Sequence, residues 1–248
     1  MTQGQLVGKV ALVTGAGRGI GRATAIALAA EGAAVALAAR TLAELHSVQK
    51  EIEASGGEAT VFPTDMAEEA QIQTTLQGVI DTYERLDILV NNAGVSARYP
   101  VAELPTSDYD RVMAVNARGP FILSRDAIPH LLKNTPSFIV NIISVGARRC
   151  YVNTGVYSAS KHALRALSIV LSQELKDTGI RVHAINPGGV ETEMMASQMA
   201  TRADLQGAKM VKPKEIADIV LYLVTHGDGG IIDEVSIRRA DSPYYCYP

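Results

Sequence analysis

The sequence predicts an α/β fold: a three-layer α/β/α sandwich, doubly wound around a parallel sheet of seven strands. Three observations predict it. Short β-rich runs alternate with helical patterns along the whole chain. One run, "LDILVNNAG", is nearly continuously apolar, as expected of a strand covered by helices on both faces. A glycine cluster lies between the first β-rich run and the first helical one, where a strand must turn tightly into a helix.

The elements follow in order. "KVALVT" (Lys9 to Thr14) is the first strand, and the alanine-rich helix after the glycines ends at Gly32, a C-cap. "AAVALAA" is the second strand. "TLAELHSVQKEIEASGG" is a helix opened by a Thr41/Glu44 capping box and closed by Gly56 and Gly57. "EATVFPTD" gives the third strand and Glu68 to Glu84 the third helix. Beyond "LDILVNNAG", a long helical region spans about Ser107 to Leu132. Strand "SFIVNIIS", a helix containing "VYSASKHALRAL", strand "IRVHAINP", helix "KPKEIADIVLYLVTHG" and strand "IIDEVSIRR" complete the pattern.

Composition narrows the function. The chain has 248 residues, 47% hydrophobic and 20% charged, enough to bury a sizeable core. No linker, repeat or composition shift marks a boundary, so residues 1–248 are read as one domain. A net charge of −3 without long runs of either sign excludes a basic nucleic-acid stripe and points to a small solute. The opening "MTQGQLVGKV" does not read as a secretory signal, and Glu31 and Gly32 interrupt the apolar region Ala23 to Ala39, so no membrane span is expected. Cys150 and Cys246 lie far apart and lack metal-ligand spacing, which predicts no metal site, a reduced compartment and a cytoplasmic protein.

Ligands of a doubly wound sheet bind at the carboxyl ends of the strands. There, "TGAGRGIG" places Gly15, Gly17, Gly19 and Gly21 so that the backbone can approach a diphosphate at the N-terminus of a helix. The spacing departs from a strict G-x-G-x-x-G, since Ile20 occupies the third glycine position. At the end of strand two, "LAARTL" supplies Arg40 with no acid near it, and Arg18 in the glycine loop adds a second cation. Guanidinium groups fork onto phosphate, so a cofactor with a 2′-phosphate, NADP(H), is favoured over NAD(H).

Tyr157 and Lys161 stand four residues apart on one helix. With nine tyrosines and eight lysines, such a pair is expected about 0.3 times by chance, so its weight comes from its place behind Ser144 at the end of strand five.

Together these residues resemble the short-chain dehydrogenase/reductase family over nearly the whole chain. "TGAGRGIG" is similar to its TGxxxGIG loop, "NNAG" (Asn91 to Gly94) to its strand-four motif, and "YSASK" to its YxxxK site. Ser144 stands thirteen residues before Tyr157, Asn116 lies in "VNARG", and "NPGGVET" resembles the PG motif after strand six. The resemblance implies a Rossmann-like fold whose cofactor contacts include Gly15, Arg18, Gly19, Ile20, Gly21, Arg40 and Thr41. It further implies that Asp65 and Met66 approach the adenine, and that Asn92, Ala93 and Gly94 line the cleft. Pro187 and Gly188 are implied as cofactor contacts too, with Val190 and Thr192 meeting the nicotinamide carboxamide.

Reducing a carbonyl requires a hydride for carbon and a proton for oxygen. A free phenol, with a pKa of about 10, is a poor acid/base at neutral pH, and an ammonium one helical turn away would lower it. Tyr157 is therefore expected to be the acid/base, tuned by Lys161. Ser144 would donate to the substrate oxygen. By resemblance, Lys161 also holds the ribose hydroxyls and Asn116 holds a water that passes protons to it. His162 is expected to be a packing or surface residue.

The expected function is NADPH-dependent reduction of a small or medium ketone or aldehyde, or the reverse oxidation of an alcohol. A 3-oxoacyl-[acyl-carrier-protein] reductase is the alternative, hinted at by Arg98, Arg148 and Arg149. A non-catalytic NADP(H)-binding sensor or scaffold is a third reading, opposed by the intact Ser144, Tyr157 and Lys161. Which of Arg148, Arg149, Cys150 and Tyr151 faces the substrate stays open. The methionine-rich region at about 191–211, with Met194, Met195 and Met199, reads as a mobile lid or as helix packing. The tail at about 240–248 is suited to cover an edge or a neighbouring subunit. A homotetramer or homodimer is expected by resemblance.

Overall fold

The structure, a computed structural model, describes residues 4–199, 207–226 and 230–242. The chain runs β1 (Val10–Thr14), α1 (Gly19–Ala30), β2 (Ala34–Ala39), α2 (Leu42–Ala54), β3 (Glu58–Pro63), α3 (Glu69–Tyr83) and β4 (Ile88–Asn91). It continues through α4 (Thr106–Met113), α5 (Gly119–Leu131), β5 (Ser137–Ile142), α6 (Gly155–Glu174), β6 (Ile180–Pro187), α7 (Glu193–Met199), α8 (Pro213–Thr225) and β7 (Glu234–Ile237). The strands form one sheet in the order β3-β2-β1-β4-β5-β6-β7, and every pairing is parallel. This is the expected doubly wound, seven-stranded α/β fold.

Residues alternate between the two faces of a strand, so each apolar strand feeds two cores. Ala11, Val13, Val35, Leu37, Val90 and Val140 pack with Leu28, Leu45, Ile216 and Val220 from α1, α2 and α8. Leu12, Ala36, Leu89, Ile139 and Val182 pack with Ile72, Leu76, Ile122 and Leu171 from α3, α5 and α6. The chain steps outward from β1 through β2 to β3, then returns across β1 to β4 and steps the other way. That reversal leaves a crevice between the carboxyl ends of β1 and β4.

Some elements differ from expectation. The region predicted as one helix from Ser107 to Leu132 is broken by a π-helical turn at Ala114–Arg118, where Gly119 N–H donates to Ala114, five residues back. Pro120 explains the wider turn: it has no N–H to return to residue 116. The predicted capping box of α2 does not form, because Thr41 makes no side-chain capping bond. Gly32, with φ +91°, does close the first helix through its N–H to Ala29. β3 ends at Pro63 and β7 spans only Glu234–Ile237, both shorter than their apolar runs. The region expected as a lid falls partly, and the C-terminal tail mostly, outside the described residues, as do Cys246 and the Met199 side chain.

Candidate active site

A cavity of about 820 Å³ opens at the carboxyl ends of the strands. Its floor is built by hydrogen bonds between the ends of β1 and β4. Thr14 Oγ1 accepts from the N–H groups of Asn92 and Ala93, each at 3.0 Å. The Asn92 side-chain amide donates to the carbonyls of Thr14 at 2.8 Å and Gly15 at 3.2 Å. Gly15 has φ +64°, and a Cβ there would lie 2.9 Å from both Ala93 Cα and Asn92 Nδ2. Arg18 precedes α1 without a side-chain cap, so the first-turn N–H groups are left for an anion. A bare backbone cradle at a helix N-terminus suits the diphosphate of a dinucleotide.

Ile20, Thr41, Asn92, Ala93, Gly94 and Val190 line this cavity, together with Gly15, Gly19, Met66, Pro187, Gly188 and Thr192. Gly21 and Asn116 do not line it. Gly21 is buried beneath the loop, where a Cβ would run into the Gly15 carbonyl and the Asn92 amide. Asn116 is fully buried behind the wall.

At one end the cavity is rimmed by charge. Arg18 pairs with Glu193 at the start of α7 and lies 3.7 Å from Glu44 of α2. With no capping box formed, Glu44 turns toward the glycine loop, against Gly17 and Arg18. Arg40 lines the cavity and makes no ion pair among the described residues. Asp65 accepts from Ala67 N–H at 2.9 Å and pairs with Arg111 of α4 at 2.9 Å. Burial alone would raise the Asp65 pKa, but these bonds and the charges of Arg111 and Arg40 hold it below the usual value. Arg111, Glu44, Glu193 and Lys212 reach the cavity without any local sequence signal.

At the other end stand Ser144, Tyr157 and Lys161. Ser144 follows β5; its Oγ accepts from Gly146 N–H at 3.0 Å and, with the Tyr157 ring, stands beside Gly146. α6 carries Tyr157 and Lys161 on one face. Lys161 is 4% exposed, donates to the Ile142 carbonyl at 3.0 Å, and is brought down by burial to a pKa of about 8. The expectation that Lys161 lowers the phenol pKa is corrected. Burial raises the Tyr157 pKa above its ordinary value, outweighing the opposing effect of Ser144. The amide of Asn116, in the π turn, is consumed by Val95 N–H and C=O and by Ser160 Oγ at 2.8–3.0 Å.

The remaining candidates sort plainly. None of Arg98, Arg148, Arg149, Cys150 and Tyr151 lines the cavity; Arg148 lies 3.8 Å from Glu234, and Arg149 sits over the Tyr151 ring. His162 is exposed and bonds the Ser158 carbonyl at 2.8 Å. Met194 and Met195 line the cavity from α7. Among the described residues no His, Cys, Asp and Glu cluster could hold a metal ion, and no helix is long and apolar enough to cross a membrane.

A parallel doubly wound sheet with a glycine-lined crevice at its reversal point defines the Rossmann-like class. Residues 9–203 match the model of the short chain dehydrogenase family, and the chain belongs to that family. It is therefore an oxidoreductase. A short-chain dehydrogenase/reductase from Serratia marcescens is 36% identical, with a TM-score of 0.88 over 95% of this chain and 98% of that one. A metagenomic short-chain oxidoreductase solved in complex with NADP is 34% identical, with a TM-score of 0.84 over 95% and 99%. The glycine betaine reductase ATRR of Emericella nidulans is 33% identical over 97% of this chain, which spans only 19% of that protein's length.

Proposed function

We propose that this chain is an NADP(H)-dependent carbonyl reductase acting on a small ketone or aldehyde, with Tyr157 as its acid/base. One observation carries the reading: Ser144 and Tyr157 flank Gly146 on the wall of the cavity, backed by the buried Lys161, and the cavity's other end is a bare glycine cradle rimmed by arginines. When bound, the dinucleotide supplies or accepts the hydride. The protein's own groups do the rest. The α1 N-terminus and Gly15 hold the diphosphate, and Arg40, with Arg18, takes the 2′-phosphate.

Tyr157 keeps its proton at neutral pH because burial raises its pKa, and that proton goes to the substrate oxygen during reduction. Ser144 donates to the same oxygen and stabilises its developing charge. Lys161, ammonium at neutral pH, binds the ribose hydroxyls. Since the Asn116 side chain is consumed internally, its part is to shape the π turn behind Lys161 rather than to hold water through its amide.

Exposed apolar side chains on α5 and α6, among them Phe121, Ile169 and Val170, support a homodimer or homotetramer built on these helices. The exposed, free Cys150 accords with a reducing, cytoplasmic setting.

The test follows NADPH and NADH oxidation against a broad carbonyl panel, with Tyr157→Phe as control. NADPH-driven turnover that the phenylalanine variant loses is expected. A phenylalanine variant that turns over like wild type would sink the mechanism, and a higher kcat/KM with NADH would sink the cofactor preference.

A further inference from the structure

Three segments must stay in register for this site: the loop after Ser144, the helix with Tyr157 and Lys161, and the turn at Pro187 and Gly188. One carboxylate outside the cavity touches all three. Glu234, the first residue of β7, accepts from Arg165 twice, at 2.7 Å from Nε and 2.8 Å from Nη2. Arg165 lies on α6, one turn beyond Lys161. The same carboxylate accepts at 2.6 Å from the side-chain amide of Asn186, which is fully buried and immediately precedes Pro187. Arg148, four residues after Ser144, places its guanidinium 3.8 Å away.

The arrangement is specific. A bidentate arginine–carboxylate pair fixes direction as well as distance. Asn186 Oδ1 is buried without a partner, so the amide gives up one bond while its Nδ2 remains on Glu234. Turning the amide over would set its oxygen against the carboxylate. The side chain of Glu234 is only 20% exposed and that of Arg165 29%, so the pair is less screened than a surface ion pair. None of Glu234, Arg165, Arg148 and Asn186 lines the cavity.

We propose that Glu234 is a positioning residue, joining the Ser144 loop, the Tyr157 helix and the Pro187–Gly188 turn through Arg148, Arg165 and Asn186. Its importance for turnover rests on the function proposed above; the mechanical link does not. A shift of about 1 Å among these segments would lengthen the path from phenol to substrate oxygen and lower kcat by roughly 10–100-fold. The diphosphate cradle lies across the sheet at β1, so NADPH affinity should fall less than kcat does.

The experiment compares wild type, Glu234→Gln and Glu234→Asp. Amide hydrogen exchange on the ligand-free proteins, NADPH affinity by fluorescence, and kcat are measured together. For Glu234→Gln the expected result is faster exchange at 145–154 and 188–190, kcat down by roughly tenfold or more, and an NADPH affinity that falls by less than kcat does. Glu234→Asp should recover part of both the exchange protection and kcat. Wild-type exchange in those segments, or faster exchange confined to β7, would overturn the link. So would wild-type kcat in Glu234→Gln, or global loss of protection that Glu234→Asp does not restore. If the wild type reduces no carbonyl, the functional reading fails, while the exchange data alone still decide the link.

Discussion

The Lys161 ammonium donates to the Ile142 carbonyl at 3.0 Å, so a cation is held inside the fold against the end of a central strand. Its pKa falls from 10.5 to about 8, so between those values the unfolded chain binds the proton more tightly and stability rises with pH. Below about pH 8 the full penalty of burying the charge is present, roughly 3 kcal/mol from the size of the shift. Leaving the Ile142 carbonyl unpaired takes back about 1–3 kcal/mol. Lys161→Met should therefore abolish turnover while leaving stability at pH 7 unchanged or about 1–2 kcal/mol higher. Urea unfolding checks this; a variant several kcal/mol less stable than wild type would refute it.

The same depressed lysine sets an alkaline limit for reduction. Tyr157 is protonated well into the alkaline range, so the ammonium of Lys161 is the first of the pair to be lost as pH rises. Because kcat/KM reports groups of the free enzyme, its value for NADPH should be level through neutral pH and decline around pH 8. A profile flat to pH 10 would contradict the assignment.

Gly146 stands between the serine and the tyrosine. A Cβ at this position would lie 3.2 Å from Ser144 Oγ and 3.3 Å from Tyr157 Cε1. Gly146→Ala should push these groups apart and lower kcat roughly tenfold, with NADPH affinity unchanged. Loss of NADPH binding in step with kcat would show instead that the whole cavity had been disturbed.

Arg40 is the cation expected to read the 2′-phosphate, because Arg18 already shares its charge with Glu193 and Glu44. Arg40→Asp should weaken NADPH by about tenfold or more and leave NADH within about threefold, as judged by equilibrium titration. Equal losses with both cofactors would point to a folding defect.

His183 links acid sensitivity to β6. It is 3% exposed, stacks on Phe138 at 6.1 Å, and bonds the Ile232 carbonyl at 2.7 Å, while its Nε2 has no partner. Burial lowers its pKa below 6.5, so stability is full above that value and declines as pH falls through it toward the folded pKa. Replacing it by Phe should flatten the decline between pH 7 and 5. His130, also depressed, remains as a background term in that window. An unchanged slope in His183→Phe would remove His183 from the account.

The sequence by itself determined the α/β class, the seven strands and the two ends of the cavity. Those signals are local: period-2 apolar runs, glycines where a strand turns into a helix, and a tyrosine and lysine one helical turn apart. The π turn was hidden because helical periodicity barely changes when one residue is added, although Pro120 offered a hint. Tertiary structure alone decided which charges meet. Glu44 and Glu193 reach Arg18, Arg111 reaches Asp65, and Arg148 and Arg165 reach Glu234 across as many as 175 residues of sequence. It also reversed the expected direction of the Tyr157 shift, because burial depends on what packs around the phenol and not on the spacing to Lys161.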